Sequence, residues 1–220
     1  MTRKNYTSSV NRLASLPEIF TGGDLAVLFG WRSSICSTYL ASWRKAGLIK
    51  SLGGRSDVHM NLVQNRQANT EAALRRVYPR ATRIGVDILR EAGWTTQIPV
   101  RTSVAIPRAS ARHDLPVFLL ETRSAKWFAR VAPGIERVER GIDRLHPAWA
   151  LADMIDRAAD RRVRGAWLLD PEDIDLQRAR ADKNMAIALK AFGQDMDCID
   201  DAGYARLYDS GRLRRKAVSG

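Results

Sequence analysis

Hydroxyl-bearing and cationic side chains are concentrated between residues 32 and 55, and their chemistry is that of contacts to a polyanion. Arginine and lysine donate charge-assisted hydrogen bonds to phosphate oxygens, and short hydroxyl side chains bond to base edges or to phosphates. A fold that presents these side chains on one surface would bind double-stranded DNA. The candidate DNA-binding residues are Arg32, Ser33, Ser34, Ser37, Thr38, Ser42, Arg44, Lys50 and Arg55.

Carboxylates later in the chain suggest a different chemistry. Asp87, Asp114, Glu121 and Lys126 could together form the metal-dependent centre of a nuclease, with Glu121 following an apolar segment. Such a centre usually has a lysine two residues after the glutamate, whereas this chain has Arg123. The pattern therefore gives only weak support to a nuclease.

Three aspartates recur at helical spacing in the second half of the chain. Asp153, Asp156 and Asp160 would share one helix face, and Arg157 and Arg161 are adjacent to them in sequence. Opposite charges three or four residues apart are typical of a solvated, salt-bridged helix face. We expect these aspartates to be exposed to solvent.

Histidine and cysteine do not occur at the spacing of a metal site. His59, His113 and His146 are far from one another in sequence, and neither Cys36 nor Cys198 belongs to a CxxC pair. The chain also lacks a Walker A sequence, a nucleophile elbow and a dinucleotide fingerprint. The sequence predicts no catalytic residue, no metal and no cofactor, and therefore no enzyme. Two unpaired cysteines fit a reduced, cytoplasmic protein.

The hydroxyl-rich segment falls on a predicted pair of helices. Thr21 followed by Asp24 has the pattern of a capping box, and Gly30 is placed to end the short helix that follows. Either Ser33 or Ser34 could cap the next helix. The inward-facing residues of this pair are expected to be Leu25, Leu28, Phe29, Cys36, Leu40 and Trp43.

A hairpin is predicted directly after the helix pair. Residues 48–52 and 57–62 alternate between apolar and polar side chains, and residues 53–56 have turn composition. With a supporting helix near residues 10–16, this order is that of a winged helix-turn-helix, whose second helix enters the major groove and whose hairpin lies along phosphates. Any small helical core could also carry an amphipathic helix pair and a hairpin.

Charge is distributed unevenly along the 220 residues. The whole chain has a net charge of +12. Residues 1–66 contain nine Lys and Arg against three Asp and Glu, residues 67–170 contain 18 against 12, and residues 171–220 contain nine of each. The positive surplus per residue is thus greatest in the segment that would bind a polyanion.

A polar segment at residues 64–69 predicts a boundary between a winged domain, 1–66, and a second domain, 67–220. The predicted fold class is α+β: the winged helix-turn-helix, then a mixed α+β domain and C-terminal helices. Helices are expected at 71–78, 81–92, 145–155, 182–192 and 201–208, and strands or extended segments at 94–106, 115–120 and 125–131. Residues 108–114 would connect them, and 212–216 form a basic tail.

Neither a signal peptide nor a membrane span is predicted. Residues 1–10 lack the apolar core of a signal peptide, and no apolar run approaches the roughly 20 residues that cross a bilayer. We therefore expect no membrane partner.

Two stretches of the second domain resemble the AbiEi family of antitoxins. The first runs from Arg83 to Val100 (RIGVDILREAGWTTQIPV) with VAIP at residues 104–107, and the second is LHPAWALADM at residues 145–154. The acidic segment 170–175 is similar to the ending of the family pattern. The hairpin lacks the glycine–aromatic ending associated with the family, and the helices after residue 180 lie outside the pattern.

The resemblance implies an antitoxin and autorepressor of a type IV toxin–antitoxin system. Its winged domain would bind inverted repeats in its own promoter, as a homodimer on the DNA, and its second domain would counteract a neighbouring nucleotidyltransferase-like toxin. One alternative is a stand-alone winged-helix regulator whose second domain dimerises or senses a ligand. Another is a DNA-processing enzyme with a winged-helix targeting domain.

Overall fold

The computed structural model describes residues 8–108, 114–160 and 168–216, with side chains as far as residue 210. The fold is α+β, as predicted, and the chain forms two compact units. In the described part of the chain, the first unit comprises residues 8–81, 114–116 and 139–142, and the second comprises the remainder. The expected connection at 108–114 lies largely outside the described residues, as does His113.

The first unit has the element order of a winged helix-turn-helix. Its three helices and hairpin are confirmed, and strand β1 joins the hairpin to make an antiparallel sheet of order β1-β3-β2. The elements are α1 Ser9–Ala14, β1 Ile19–Thr21, α2 Gly22–Phe29, α3 Ser33–Lys45, β2 Ile49–Ser51, β3 Val58–Asn61 and α4 Thr70–Val77.

The helix ends follow the capping pattern of the sequence, with one difference. Thr21 and Asp24 form the complete capping box of α2, and Gly30 ends that helix in the left-handed conformation with φ of 64°. The N-cap of α3 is Arg32, not Ser33 or Ser34, and it makes no side-chain capping bond. Because both serines lie inside the first turn of α3, their hydroxyls remain on the helix surface.

The core of the first unit lies between its helices and its sheet. Cys36, Leu40 and Trp43 are buried, as their spacing predicts, but Leu28 of α2 is 51% exposed and does not face inward. The buried residues of this core are Leu13, Leu16, Phe20, Leu25, Cys36, Leu40, Trp43 and Ile49.

The first unit continues beyond residue 66, where the sequence predicts a boundary. Leu74 of α4 is fully buried, and Arg76 of the same helix lies 3.7 Å from Asp24 of α2. Asn69 donates a 2.6 Å hydrogen bond to the Arg140 carbonyl, and Arg75 donates one of 3.2 Å to the Gly141 carbonyl. Residues 139–142 thus complete the first unit although 82–108 and 117–138 belong to the second.

The second unit is built on a mixed five-stranded sheet of order β6-β5-β4-β8-β7. Strands β5 and β6 are parallel, as are β4 and β8, while β4–β5 and β7–β8 are antiparallel. The elements are β4 Thr82–Arg83, α5 Val86–Glu91, β5 Thr102–Pro107, β6 Phe118–Arg123, α6 Ala125–Val131, β7 Ile135–Glu136, β8 Asp143–Leu145, α7 Pro147–Ala159, α8 Leu176–Ala181, α9 Met185–Ala191 and α10 Asp201–Lys216, with 3-10 turns at Ala132–Gly134, Pro171–Asp173 and Met196–Ile199.

Two predicted elements of the second unit are wrong. The helix expected over 81–92 is strand β4 followed by the shorter α5, because Gly85 adopts φ of 82° and turns the chain between them. The strand expected over 125–131 is helix α6, whose N-cap Ser124 accepts a hydrogen bond from the Trp127 N–H at 3.2 Å. An apolar segment of seven residues fits either structure, and here the cap favours the helix.

The helix expected over 145–155 is α7, which begins at Pro147 and continues to Ala159. Pro147 occupies the first turn, and the N-cap His146 accepts a hydrogen bond from the Ala148 N–H at 3.3 Å. Trp149, Ala152 and Ile155 are buried on this helix. Nowhere in the described residues is there a helix long and apolar enough to span a membrane.

Candidate nucleic-acid interface

Helix α3 presents a polar, cationic surface on the side opposite its buried stripe. All nine candidate DNA-binding residues are exposed, including the seven that lie on or next to this helix. Helix α3 contains no acidic residue, and Arg44 and Lys45 occupy its last turn. A phosphate backbone could therefore approach it without repulsion from a carboxylate on the helix itself.

Helical geometry divides the exposed residues of α3 into two groups. Successive residues are about 100° apart around the axis, which places Ser34 and Thr38 near the centre of the outward face. Ser37 and Arg44 lie on the flank that faces the hairpin, and Ser42 lies on the other flank. The structure thus brings only part of the predicted set to the hairpin.

A groove separates that flank of α3 from the hairpin. Ser37 and Arg44 line one wall, and Arg55 at the hairpin tip lines the other. Lys50 alternates with Ser51 along β2, and only Ser51 lines the groove, so Lys50 lies on the other face of the hairpin. The complete lining is Ser37, Leu40, Arg44, Ser51, Gly53, Arg55, Ser56, Asp57 and His59.

Two hydroxyls of α3 are already engaged as donors. The Ser37 hydroxyl donates to the Ser33 carbonyl at 3.0 Å, and the Thr38 hydroxyl donates to the Ser34 carbonyl at 2.9 Å. Their oxygens retain lone pairs and can accept, but phosphodiester oxygens offer no donor. In this arrangement the two hydroxyls suit the amino groups of adenine or cytosine, which donate in the major groove.

The hairpin tip has an unusual backbone conformation. Arg55 has φ of 66° and is the one non-glycine residue with positive φ in the described part of the chain; Gly53 and Gly54 precede it with φ of 96° and 59°. The left-handed region costs a residue with a Cβ roughly 1 kcal/mol or more. Arg55 thus occupies a left-handed backbone conformation in which glycine or asparagine would be less strained.

Sequence reasoning did not identify His59 as a member of this surface. His59 is only 4% exposed and lines the groove, and burial lowers the pKa of its imidazole. Its Nε2 lies 3.6 Å from the Asp57 carboxylate, which also accepts a 2.9 Å hydrogen bond from the Gly22 N–H at the start of α2. The register of the hairpin could have placed it there. His59 pairs with Ser51, which lines the groove, and not with Lys50, which does not.

An aromatic stack fixes the turn between α2 and α3. The Trp31 ring lies 4.6 Å from the Phe29 ring and 4.3 Å from the Tyr39 ring, nearly parallel to both. The Arg12 guanidinium lies over Trp31 and Tyr39, at 5.5 Å and 4.9 Å from their centroids. Stacking and cation–π contacts of this kind stabilise the geometry in which α3 is presented.

Two carboxylates of the second unit, those of Asp153 and Glu121, are bound by arginines. Asp153 is 2% exposed, with oxygens 3.2 Å from the Arg123 guanidinium and 2.6 Å from the Trp127 indole nitrogen. Arg123 also donates to Glu121 at 3.1 Å, and Arg157 forms an ion pair with the same carboxylate. The expectation of a solvated face is therefore wrong for Asp153.

The nuclease set considered from sequence is not gathered at one place within a unit. Asp114 belongs to the first unit and Asp87, Glu121 and Lys126 to the second. Asp87 is buried on α5, and burial raises the pKa of its carboxyl. In the described ranges, no group of three or more His, Cys, Asp or Glu side chains is placed to hold a metal ion.

Comparison with known proteins gives a fold relationship. No protein-family model matches the chain, and no curated protein matches it significantly. The fold is similar to the crystal structure of the RV2827C protein from Mycobacterium tuberculosis, with a TM-score of 0.51 and 15% sequence identity. That alignment covers 96% of this chain and 78% of the other. At this identity the similarity concerns the fold alone.

Proposed function

We propose that this protein is a cytoplasmic transcriptional autorepressor that binds double-stranded DNA through α3 and the hairpin, and that it acts as an antitoxin. The observation that carries the DNA-binding part is the groove between Arg44 and Arg55, flanked by a helix without acidic residues. In this assignment α3 enters the major groove and the hairpin lies along the backbone.

Phosphate contacts and base contacts are assigned to different residues. Arg44 and Arg55 carry the phosphate contacts, since guanidinium groups form charge-assisted hydrogen bonds with phosphate oxygens. Ser37 and Thr38 contribute to base recognition as acceptors, because their hydroxyl protons are donated to the helix backbone. The two groups should therefore differ in what their substitution does to specificity.

Support for the antitoxin part comes from the resemblance of two stretches to the AbiEi family. In the fold, residues 83–107 contain Arg83 of β4, α5 and β5, and residues 145–154 contain Leu145 of β8 and most of α7. These elements pack around one core that includes Ile88, Ala105 and Trp149. The residues that carry the resemblance thus belong to one unit. Part of them form its core, whereas Gln97, Ile98 and Val100 are exposed.

A ligand-responsive regulator is the second candidate, and a cavity in the second unit favours it. Ile84, Val86, Leu119 and Met154 line one part of the cavity, and the rest is lined by Ser103 and the ion-paired Glu121, Arg123, Asp153 and Arg157. A concave site that combines apolar side chains with converging polar groups can bind a small polar molecule. A regulator of this kind would release DNA when the cavity is filled.

DNA binding is tested with a labelled duplex from the sequence upstream of the reading frame. Arg44→Ala and Arg55→Ala should each weaken both specific and non-specific binding and reduce the salt slope by about one ion. Arg66→Ala removes an exposed charge outside the groove and is the matched control. Affinity equal to wild type for the Arg44→Ala/Arg55→Ala double variant would place the DNA surface elsewhere.

Antitoxicity is tested by co-expression with a nucleotidyltransferase-like protein encoded beside the gene, with growth as the readout. The Arg44→Ala/Arg55→Ala variant should restore growth but fail to repress a promoter–reporter fusion. Point variants are preferable to fragments, because residues 139–142 complete the first unit. Repression without rescue by the wild-type protein would favour the regulator.

A further inference from the structure

The groove between α3 and the hairpin contains buried polar atoms that have no partner. His59 Nδ1 and Ser56 Oγ are both inaccessible to solvent and make no hydrogen bond within the protein. Both residues line the groove, with Arg44 and Arg55 on its walls. Buried polar atoms normally have partners, and each unpaired one requires an explanation, such as a functional role or a bound water or ion.

We propose that this groove is a phosphate-binding pocket whose occupation by a DNA phosphodiester is coupled to proton uptake by His59. This inference rests on the DNA-binding function proposed above and assigns it a regulatory group. Arg44 and Arg55 supply the direct contacts to the phosphate, and His59 acts from behind them as a positioning and charge-regulating residue.

The charges around His59 explain the coupling. From α3, Arg44 disfavours the imidazolium, and from the hairpin, Asp57 favours it. The neighbouring strands contribute Ser51 and the Phe20 ring, which carry no charge. In the free protein burial and Arg44 together keep the pKa of His59 below its ordinary value. The imidazole is therefore neutral near pH 7.

A phosphate bound between the two arginines reverses this balance. Its negative charge offsets the field of Arg44 and attracts the imidazolium, so the bound state favours protonated His59. Linkage then requires that DNA binding takes up a proton and that affinity rises as pH falls. Asp57 keeps its position during this change, because its other oxygen accepts the hydrogen bond from Gly22.

The test measures affinity of the full chain for a short labelled duplex of mixed sequence between about pH 8 and about pH 5.5, where histidine titrates. Wild-type affinity should rise across this range, by up to about tenfold for each pKa unit by which the bound phosphate raises the pKa of His59. His59→Gln, which cannot be charged, should show a flat profile. His146→Gln, at the start of α7 in the second unit, is the matched control and should retain the wild-type profile.

A second measurement keeps the test independent of how well the variant folds. The imidazole NMR signals of wild-type protein are titrated with pH, alone, with the duplex, and with inorganic phosphate. The His59 pKa should rise with the duplex and also, because the pocket binds a phosphate group, with inorganic phosphate. No rise with the duplex would overturn the coupling.

The outcomes separate this inference from the proposed function. Binding of the duplex with the same pH profile in wild type and His59→Gln would overturn the role of His59 and leave DNA binding intact. No binding at any pH would overturn the proposed function. In that case a His59 pKa unchanged by inorganic phosphate would overturn the phosphate pocket as well.

Discussion

The side-chain amide of Asn61, at the end of β3, donates a 2.7 Å hydrogen bond to the carbonyl of Leu13 near the end of α1, 48 residues earlier. The same amide lies 3.3 Å from the Leu16 carbonyl, and the Asn61 side-chain oxygen accepts from the Val63 N–H at 3.2 Å. Asn61 is fully buried. One side chain thus donates to carbonyls at the C-terminal end of α1 and connects that helix to the hairpin.

Replacing Asn61 should destabilise the first unit strongly. Asn61→Leu preserves the volume but removes the amide that donates to the Leu13 and Leu16 carbonyls. The Leu13 carbonyl still accepts from the Leu16 N–H, so the expected cost is about 1–3 kcal/mol in the free energy of unfolding. Urea unfolding of the whole chain measures this. Gln64→Ala is the control, because Gln64 donates a 2.7 Å bond to the nearby Ala14 carbonyl at an exposed position. It should cost less than about 1 kcal/mol.

Replacing Arg55 by glycine should improve or preserve stability while weakening DNA binding. Arg55→Gly relieves the positive φ and should leave the protein as stable as wild type or more stable by up to about 1 kcal/mol. It should nevertheless weaken duplex binding, as Arg55→Ala does without the gain in stability. Thermal melts and fluorescence anisotropy measure the two effects. A loss of stability in Arg55→Gly would mean that the arginine side chain, not the strain, dominates at this position.

Substitutions on the outer face of α3 should lower DNA affinity without lowering stability, and a substitution in its core should do the opposite. Replacing Ser37 and Thr38 by Ala removes hydroxyls that bond only to their own helix, so the melting temperature should hardly change while affinity for the promoter site falls. Trp43→Ala should do the opposite: Trp43 is 1% exposed, and its loss should cost about 3–5 kcal/mol. Unchanged affinity of the Ser37/Thr38 double variant would exclude these hydroxyls from recognition.

Acidification should destabilise the first unit through His59. Its folded-state pKa is lowered from 6.5 by burial, so the unfolded chain binds the proton more readily. The contribution of neutral His59 is therefore complete above about pH 6.5 and is lost as pH falls from there toward the folded-state pKa. Urea midpoints across this range should fall less in His59→Gln than in wild type. Identical pH profiles would exclude His59 as the responsible group.

Asp153 should be more important for stability than its neighbours on α7. Asp153→Ala leaves Arg123, whose side chain is 10% exposed, with only the Glu121 carboxylate, and breaking a largely buried ion pair in this way costs about 3–5 kcal/mol. Asp156→Ala, three residues further on, is the control: Asp156 is one-third exposed and lies 3.7 Å from Arg130, so the loss should be below about 1 kcal/mol. Equal losses would mean that the Asp153–Arg123 pair has no special role.

Local signals predicted much of the first unit. The capping box of Thr21 and Asp24 and the left-handed Gly30 depend on neighbours in sequence, and the stripe from Cys36 to Trp43 needs only helical spacing. In contrast, the role of His59 depends on hairpin register, and no single segment encodes it. Leu28 was likewise expected to be buried but is exposed, because burial depends on which other elements pack against the helix, and the sequence of the helix alone does not show this.

In the second unit, secondary-structure prediction failed for short segments whose sequence is compatible with both a helix and a strand. The spacing of Ile84, Ile88 and Leu89 predicts one helix over residues 81–92, yet Thr82 and Arg83 pair with β5 and β8 as a central strand. Tertiary pairing overrode the local preference. Asp153 looked solvated because the pattern shows Arg157 nearby, whereas its partners, Arg123 and Trp127, come from β6 and α6. Such a pair can be found only once the strands are placed.

The return of the chain to the first unit at residues 139–142 has a consequence for biosynthesis. Asn69 and Arg75 emerge from the ribosome early, but the carbonyls that they bond, those of Arg140 and Gly141, are made some seventy residues later. By then β4, α5, β5, β6, α6 and β7 of the second unit have already been translated. A nascent chain interrupted before residue 139 therefore cannot complete the first unit. When the first unit is complete, most strands of the second sheet have already been synthesised.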